Sequence, residues 1–257
     1  MSVTCVTSIF NIGRDVIDGR TISEYKQWLI ATLLAINCPF VLFLDASLGW
    51  KQELLESAKG PLHIVEMKLE EVSMYPYKRR IEAILQNPAW KARQAHPQDI
   101  TNRLPEYCII QYSKFGFVER AIKENMFDTQ YFAWMDAGLS RFFDATKTYL
   151  FAPRIPLQPT MYVQGNISAL PMATTSMIGT NRCLVKGTLW IVEKQTFQHV
   201  KQEVLRILKT EMLDKDRLDN EQIAMALAIG SHPNMYTVLE NRDQITTLFD
   251  AFFSSKY

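Results

Sequence analysis

YFAWMDAG, residues 131–138, is the stretch that decides how this chain is read. Residues 131–135 are apolar or aromatic, without a charge or a turn residue, so they form a strand buried on both faces. The strand stops on Asp136, and the small residues Ala137 and Gly138 follow it. That places a carboxylate at the carboxyl edge of a sheet, where open α/β sheets bind ligands. A carboxylate there is suited to hold a divalent ion that bridges a diphosphate. The alternative is that Asp136 only caps the following turn.

Working back from this strand, Pro105 suits the first turn of a helix spanning about 106–125. In that helix Ile109, Tyr112, Phe117, Ala121 and Ile122 recur at helical spacing. Further back, 3–10 is rich in β-branched residues and ends at a turn on Gly13. A helix capped by Ser23 is predicted to run to about 37, followed by a short apolar strand over 40–44 that stops at Asp45. A helix over 51–58, the breaker Lys59-Gly60-Pro61 and a strand over 62–67 complete this half, with a short helix at 77–86 and a loop beyond it. Apolar strands separated by helices predict a parallel sheet covered on both faces. Working forward, strands are predicted near 147–152, 160–164, 183–192 and 235–239, helices at 195–213 and 219–229, and an amphipathic tail from Ile245 to Phe253. No repeat or linker divides the chain, so residues 1–257 read as one domain.

Composition excludes several classes. Lys+Arg 28 against Asp+Glu 27 gives a net charge of +1, which argues against a nucleic-acid binder. Cys5, Cys38, Cys108 and Cys183 form no CxxC pair and sit in apolar stretches, which predicts buried thiols rather than a zinc site. The run WLIATLLAINCPFVLFL, residues 28–44, is broken by Asn37 and Pro39, short of the ~20 apolar residues a membrane span needs. With no basic leader and cleavage site over 1–10, a cytoplasmic protein is expected, with peripheral membrane contact if its acceptor is lipid-linked. GxGxxG, GxxxxGK[ST], GxSxG and HExxH are all absent.

Three blocks, VTSIFNIGR (6–14), YSKFGFVERAIKEN with YFAWMDAGLSRFF (112–125 and 131–143) and DNEQIAMAL (219–227), resemble the HtrL/YibB (WlaTC-like) family. Its members are regarded as glycosyltransferase-like proteins of surface polysaccharide assembly. The resemblance implies a single GT-A-like α/β domain, a Rossmann-like, mixed and mostly parallel sheet flanked by helices, with a nucleotide-sugar-binding half over about 1–140 and an acceptor-binding half over 141–257. It also implies a nucleotide-diphosphate sugar donor, a carbohydrate acceptor and Mn²⁺ or Mg²⁺. A uridine donor is the commonest choice for such a fold. The chain departs from the Asp-x-Asp metal motif of many GT-A enzymes, since Asp136 is followed two residues on by Gly138.

On that resemblance His232 is a candidate second metal ligand, the alternative being an ordinary turn histidine. Gly13 and Arg14 lie in the first β-to-α turn, where the nucleotide normally enters, and Phe10 and Asn11 are placed to meet base or ribose. Arg14 and Lys114 are candidates to neutralise the diphosphate, because a diphosphate needs more than one cation. Arg20 and Arg79 are further candidates. An inverting transfer needs a carboxylate to take the acceptor's proton, and Asp219 or Glu221, opening a helix, fits; the alternative is capping. Lys186-Gly187-Thr188 is either a loop against the donor sugar or a bulge. Trp90, Trp190 and Phe142-Phe143 line an acceptor groove or pack in the core. Against the transferase stands a non-catalytic nucleotide-sugar or glycan-binding protein that retains the fold, and a carbohydrate hydrolase is a third reading.

Overall fold

The first strand, β1 (Val3–Ile9), shows why this chain builds around a sheet. All seven of its residues are buried. Val3, Cys5 and Ile9 join one apolar cluster, whereas Val6 and the following Phe10 join another. A strand apolar on both faces needs a cover on each. In the computed structural model, which describes residues 2–240 and 246–256, helices supply both covers.

After β1 come α1 (Arg14–Asp18), α2 (Ile22–Ala35), β2 (Phe40–Asp45), α3 (Lys51–Ser57) and β3 (Leu62–Met67). Next are α4 (Lys78–Gln86), α5 (Pro88–Lys91), α6 (Pro105–Glu124) and β4 (Tyr131–Met135). The second half holds β5 (Thr148–Phe151), β6 (Met161–Gly165), β7 (Val185–Glu193), α7 (Lys194–Ile207) and α8 (Glu221–Ser231). It ends with β8 (Tyr236–Glu240), α9 (Thr246–Phe252) and β9 (Phe253–Lys256).

The main sheet has the strand order β3-β2-β1-β4-β7-β6-β8. Strands β3, β2, β1 and β4 run parallel. β7 is antiparallel to both its neighbours, and β8 is parallel to β6. This is the mixed, mostly parallel α/β sheet flanked by helices expected from the sequence, with a Rossmann-like run of parallel strands at one side. One face is covered by Ile81 and Ile84 of α4, Ile109 and Phe115 of α6, and Phe197 of α7. The other is covered by Leu29 and Leu33 of α2, Leu54 of α3, and Phe249 of α9. Because β2 and β4 flank β1, the chain winds outward from β1 in both directions, and the crevice of such a sheet opens at the carboxyl ends of β1 and β4.

Several local expectations change. The cap of α2 is Thr21, not Ser23: Thr21 Oγ1 accepts from the Glu24 amide (3.2 Å) and Glu24 Oε2 accepts from the Thr21 amide (2.7 Å), a complete capping box. The strand predicted near 147–152 forms apart from the main sheet, as β5 in an antiparallel ribbon with β9. α7 is α-helical only to Ile207 and continues as a π turn over Leu208–Met212. Ile245, where the amphipathic tail was expected to start, lies outside the described residues. Three cysteines are buried as predicted, but Cys183 is exposed, with its thiol 2.9 Å from Gln222 Oε1. The candidate groove aromatics pack inside: Trp90 and Trp190 are buried, and Phe143 stacks on Phe249 at 4.7 Å.

Candidate active site at the carboxyl edge of the sheet

The ends of β1 and β4 are fixed by the loops beside them. Beyond β1, the Asn11 amide donates to Asp45 Oδ2 (3.1 Å), which ties the first turn to the end of β2. Gly13 then takes φ 72°, a left-handed conformation that favours glycine, and α1 follows. Beyond β4, the Asp136 amide donates to the Thr188 carbonyl (2.9 Å), holding the carboxylate against β7. A cleft opens between the two ends. Phe10, Asn11, Arg14, Lys114, Asp136 and Gly138, all singled out in the sequence, line it, and Gly13 lies in the same turn. Arg20, Tyr25, Tyr107, Gln111, Trp134 and Arg141 complete its polar and aromatic wall.

Lys114 is the centre of charge beneath the cleft. Its side chain is 1% exposed, yet its ammonium has three partners: Asp136 Oδ1 at 3.0 Å, Glu221 Oε1 at 2.7 Å and the Gly187 carbonyl at 3.1 Å. An ammonium has three protons, so these acceptors use all of them. Burial pulls the Lys114 pKa down, but Asp136 and Glu221 outweigh it, and the net shift is upward. The Trp134 indole also donates to Asp136 Oδ1, at 2.8 Å. Asp136 therefore turns one oxygen to the protein and keeps Oδ2 for the cleft. Glycine at 187 is required by this packing, because a Cβ would fall 2.0 Å from Glu221 Oε1.

The cations that face the opening are arginines. Arg14 is held by Asp18 through Nε (3.3 Å) and Nη2, and by the Tyr25 hydroxyl at 2.6 Å. Its guanidinium lies over the rings of Tyr25 and Tyr107, 5.6 and 4.9 Å from their centroids. Arg20 lies 4.0 Å from the same Asp18 carboxylate. Arg141 has no carboxylate partner among the described residues; its Nε donates to the Gly138 carbonyl (2.9 Å) and it stacks over Trp28 at 4.5 Å. Arg141, Tyr107 and Gln111 were missed in the sequence. Tyr107, Gln111 and Lys114 fall at i, i+4 and i+7 on α6, a single face, so their clustering could have been read. Arg141 stands five residues beyond Asp136.

Other candidates lie elsewhere. Asp219 is fully buried: Oδ2 accepts from the amides of Gly179 (2.7 Å) and Asn181 (3.2 Å), and Oδ1 from that of Asn220 (2.8 Å). It clamps a loop and does not line the cleft. The α8 N-cap is Asn220. Glu221 is also fully buried and reaches the site only through Lys114. His232 lies at the opposite end of α8, about 16 Å from Glu221 at 1.5 Å per residue. It is half exposed, with Nδ1 3.7 Å from Glu203 Oε1. Lys186, Gly187 and Thr188 belong to β7 and support the cleft from behind. Arg79 is an exposed residue of α4 away from it.

Burial raises the Asp219 carboxyl to about 6, against the three amides that lower it. The folded protein therefore holds a proton there between about pH 4 and 6 that the unfolded chain, near 3.9, has lost. Stability must fall as pH rises through that window, by about 3 kcal/mol from this group. Urea unfolding from pH 4 to 7 of wild type and Asp219→Asn should show the difference between them changing by that amount. A difference flat with pH would contradict the raised carboxyl.

The family resemblance implies a divalent ion, but the residues present are a poor set for one. Mn²⁺ or Mg²⁺ needs several hard oxygen donors in near-octahedral geometry. The cleft offers one carboxylate; Asp136 Oδ1 is already shared by Lys114 and Trp134, and His232 is out of reach. No cluster of three metal-binding side chains occurs among the described residues.

A family model described as "Bacterial protein of unknown function (HtrL_YibB)" matches residues 1–255, so the resemblance read from the three sequence blocks holds across the chain. No curated protein matches it. Among solved structures the chain is similar to core-mannan synthase A from Aspergillus fumigatus in its Mn/GDP form. Identity is 9% and the TM-score 0.46, over 93% of this chain and 73% of that one.

Proposed function

We propose that this chain, which belongs to the HtrL_YibB family, is a glycosyltransferase that moves a sugar from a nucleotide-diphosphate sugar to a hydroxyl of a carbohydrate acceptor. The observation that supports it best is the cleft at the ends of β1 and β4, where one carboxylate, Asp136, stands among Arg14, Arg20 and Arg141. Transfer from such a donor needs cations at the leaving diphosphate and an acceptor of hydrogen bonds at the sugar or ribose hydroxyls, and the cleft has both. Phe10 and Asn11 lie beside the base or ribose, and Gln111 and Tyr107 add polar contacts. No described helix is long and apolar enough to cross a membrane. A lipid-linked acceptor would therefore be met at the surface.

One observation favours the second reading, a nucleotide-sugar or glycan-binding protein without turnover. Asp219 and Glu221, the carboxylates expected to serve the acceptor, are both buried off the cleft, so an inverting base would have to be Asp136 itself or come from the substrate.

The first test is a thermal-shift screen of UDP-, GDP-, ADP- and CDP-sugars, with donor breakdown measured alongside. A ligand at 100 times its dissociation constant adds about 2.7 kcal/mol, on the order of 5–10 °C for a chain of this size. One base class should shift the melting point, and adding acceptor carbohydrate should speed release of the nucleoside diphosphate. Binding without turnover selects the second reading. No shift with any nucleotide, on folded protein, removes both.

A further inference from the structure

We propose that the cleft takes its donor's diphosphate without a divalent metal, gripping it with the guanidinium groups of Arg14, Arg20 and Arg141 while Lys114 fills the cation position behind Asp136. This rests on the nucleotide-diphosphate sugar reading above and departs from the Mn²⁺ or Mg²⁺ dependence that the family resemblance implies.

A metal held by Asp136 has to compete with an ammonium 3.0 Å from Oδ1 that is buried, covalently fixed to α6 and balanced by Glu221 on its other side. Glu221 is itself fully buried, and its Oε2 has no hydrogen-bond partner among the described residues. The pair of carboxylates is thus fitted to keep a permanent cation at this point. With its three protons committed, Lys114 neutralises Asp136 and does not reach a ligand, so the sequence-based role of Lys114 as a phosphate contact is replaced by one of positioning Asp136.

The charge left for the ligand is carried by the arginines. Three guanidiniums converge on one cleft with a single lining carboxylate. Arg141 lies below the ordinary arginine value, through partial desolvation first and then through the like charge of Arg20 and Arg14, which Tyr25 and Asp136 offset only in part. Asp136 and Asp18 balance only part of the charge of the three arginines and Lys114, and an anion in the cleft completes the balance. The forks are also prepared for it. Arg14 is oriented by Asp18 through Nε and Nη2 and by Tyr25 through Nη1, which leaves one proton on each terminal nitrogen, whereas Arg141 is pinned through Nε and keeps both terminal nitrogens for a phosphate. Asp136 Oδ2 is then free to accept from a donor hydroxyl instead of coordinating a metal.

The test is calorimetric binding of UDP, GDP, ADP and CDP in EDTA and again in Mn²⁺, with inorganic pyrophosphate in EDTA as a base-free probe. One nucleoside diphosphate should bind with the same affinity, within threefold, in both buffers, and Arg141→Gln and Arg20→Gln should each weaken it at least tenfold. Both arginines are exposed, so the variants are expected to fold, and circular dichroism checks that they do. Binding at least tenfold tighter with Mn²⁺ overturns the metal-free proposal and leaves the nucleotide reading standing. Wild-type affinity in both arginine variants overturns the proposed grip. Binding of pyrophosphate in EDTA without binding of any nucleotide supports the arginine site and overturns the nucleotide reading. No binding of any probe in either buffer overturns both.

Discussion

Lys114→Met should lower the unfolding free energy by about 3–5 kcal/mol, the cost of removing one partner from a buried ion pair. The size follows from what is left behind. In wild type, Glu221 is fully buried with one oxygen on Lys114 and the other without a partner among the described residues. Methionine fills much of the volume of the lysine stem, so cavity formation adds little, but Glu221 loses the only cation beside it. It must then take up a proton, and burial already raises its pKa in wild type. Its folded pKa then lies further above the unfolded value, so the variant loses stability as pH rises through that interval and recovers part of it as pH falls. Urea unfolding at pH 7 and pH 5 should show the gap to wild type narrowing at the lower pH. In a Glu221→Gln background the same substitution should cost less, because no buried charge is stranded, with a coupling of about 1–3 kcal/mol. A variant within about 1 kcal/mol of wild type at pH 7, or equal costs in both backgrounds, would show that the pair does not hold this part of the fold.

The same cluster shows where sequence reading reaches and where it stops. β3 and β4 are found where their apolar runs and flanking breakers place them. So is the start of α6, because Pro105 has no amide proton to lose in a first turn. Thr21 as the cap of α2 was also readable, since Thr-Ile-Ser-Glu is a capping-box pattern and Ser23 lacks the acid three residues on. The site was legible as far as it is local. Phe10 to Arg14 and Asp136 to Gly138 lie at ends of apolar strands, and the topology brings those ends together. What Lys114 pairs with was not legible, because Glu221 is 107 residues away and an isolated lysine on a helix gives no sign that a buried carboxylate awaits it. Asp219 was misread for the converse reason: an acid before a helix looks like a cap or a base, and only the fold brings the amides of Gly179 and Asn181 to it. β9 had no local signature, because Phe-Ser-Ser-Lys acquires strand form by pairing with β5, about a hundred residues earlier.

Asp136→Asn should reduce kcat/KM for sugar transfer by about 10²–10³, a loss of ~2.7–4 kcal/mol of transition-state stabilisation. Nucleoside diphosphate affinity should change by less than about threefold, within ~0.7 kcal/mol. The two readouts separate because the cleft divides its work. The diphosphate is the concern of Arg14, Arg20 and Arg141, which do not depend on this side chain for their hydrogen bonds. Among the described residues, Oδ2 of Asp136 is the one lining carboxylate oxygen without a protein partner, and it is the group that can accept a sugar or ribose hydroxyl or take the acceptor's proton. Asparagine preserves the shape and can still accept from the Trp134 indole, but it turns an amide or loses the negative charge where charge is needed. The fold should be nearly unaffected, because Lys114 keeps Glu221 and the Gly187 carbonyl, and urea unfolding should place the variant within about 1 kcal/mol of wild type. If turnover survives intact in Asp136→Asn, Asp136 is a turn cap and the chemistry lies with groups outside this cleft. If wild type binds the nucleotide with equal affinity but never releases product, the same carboxylate serves recognition in a protein that holds a nucleotide sugar without transferring it.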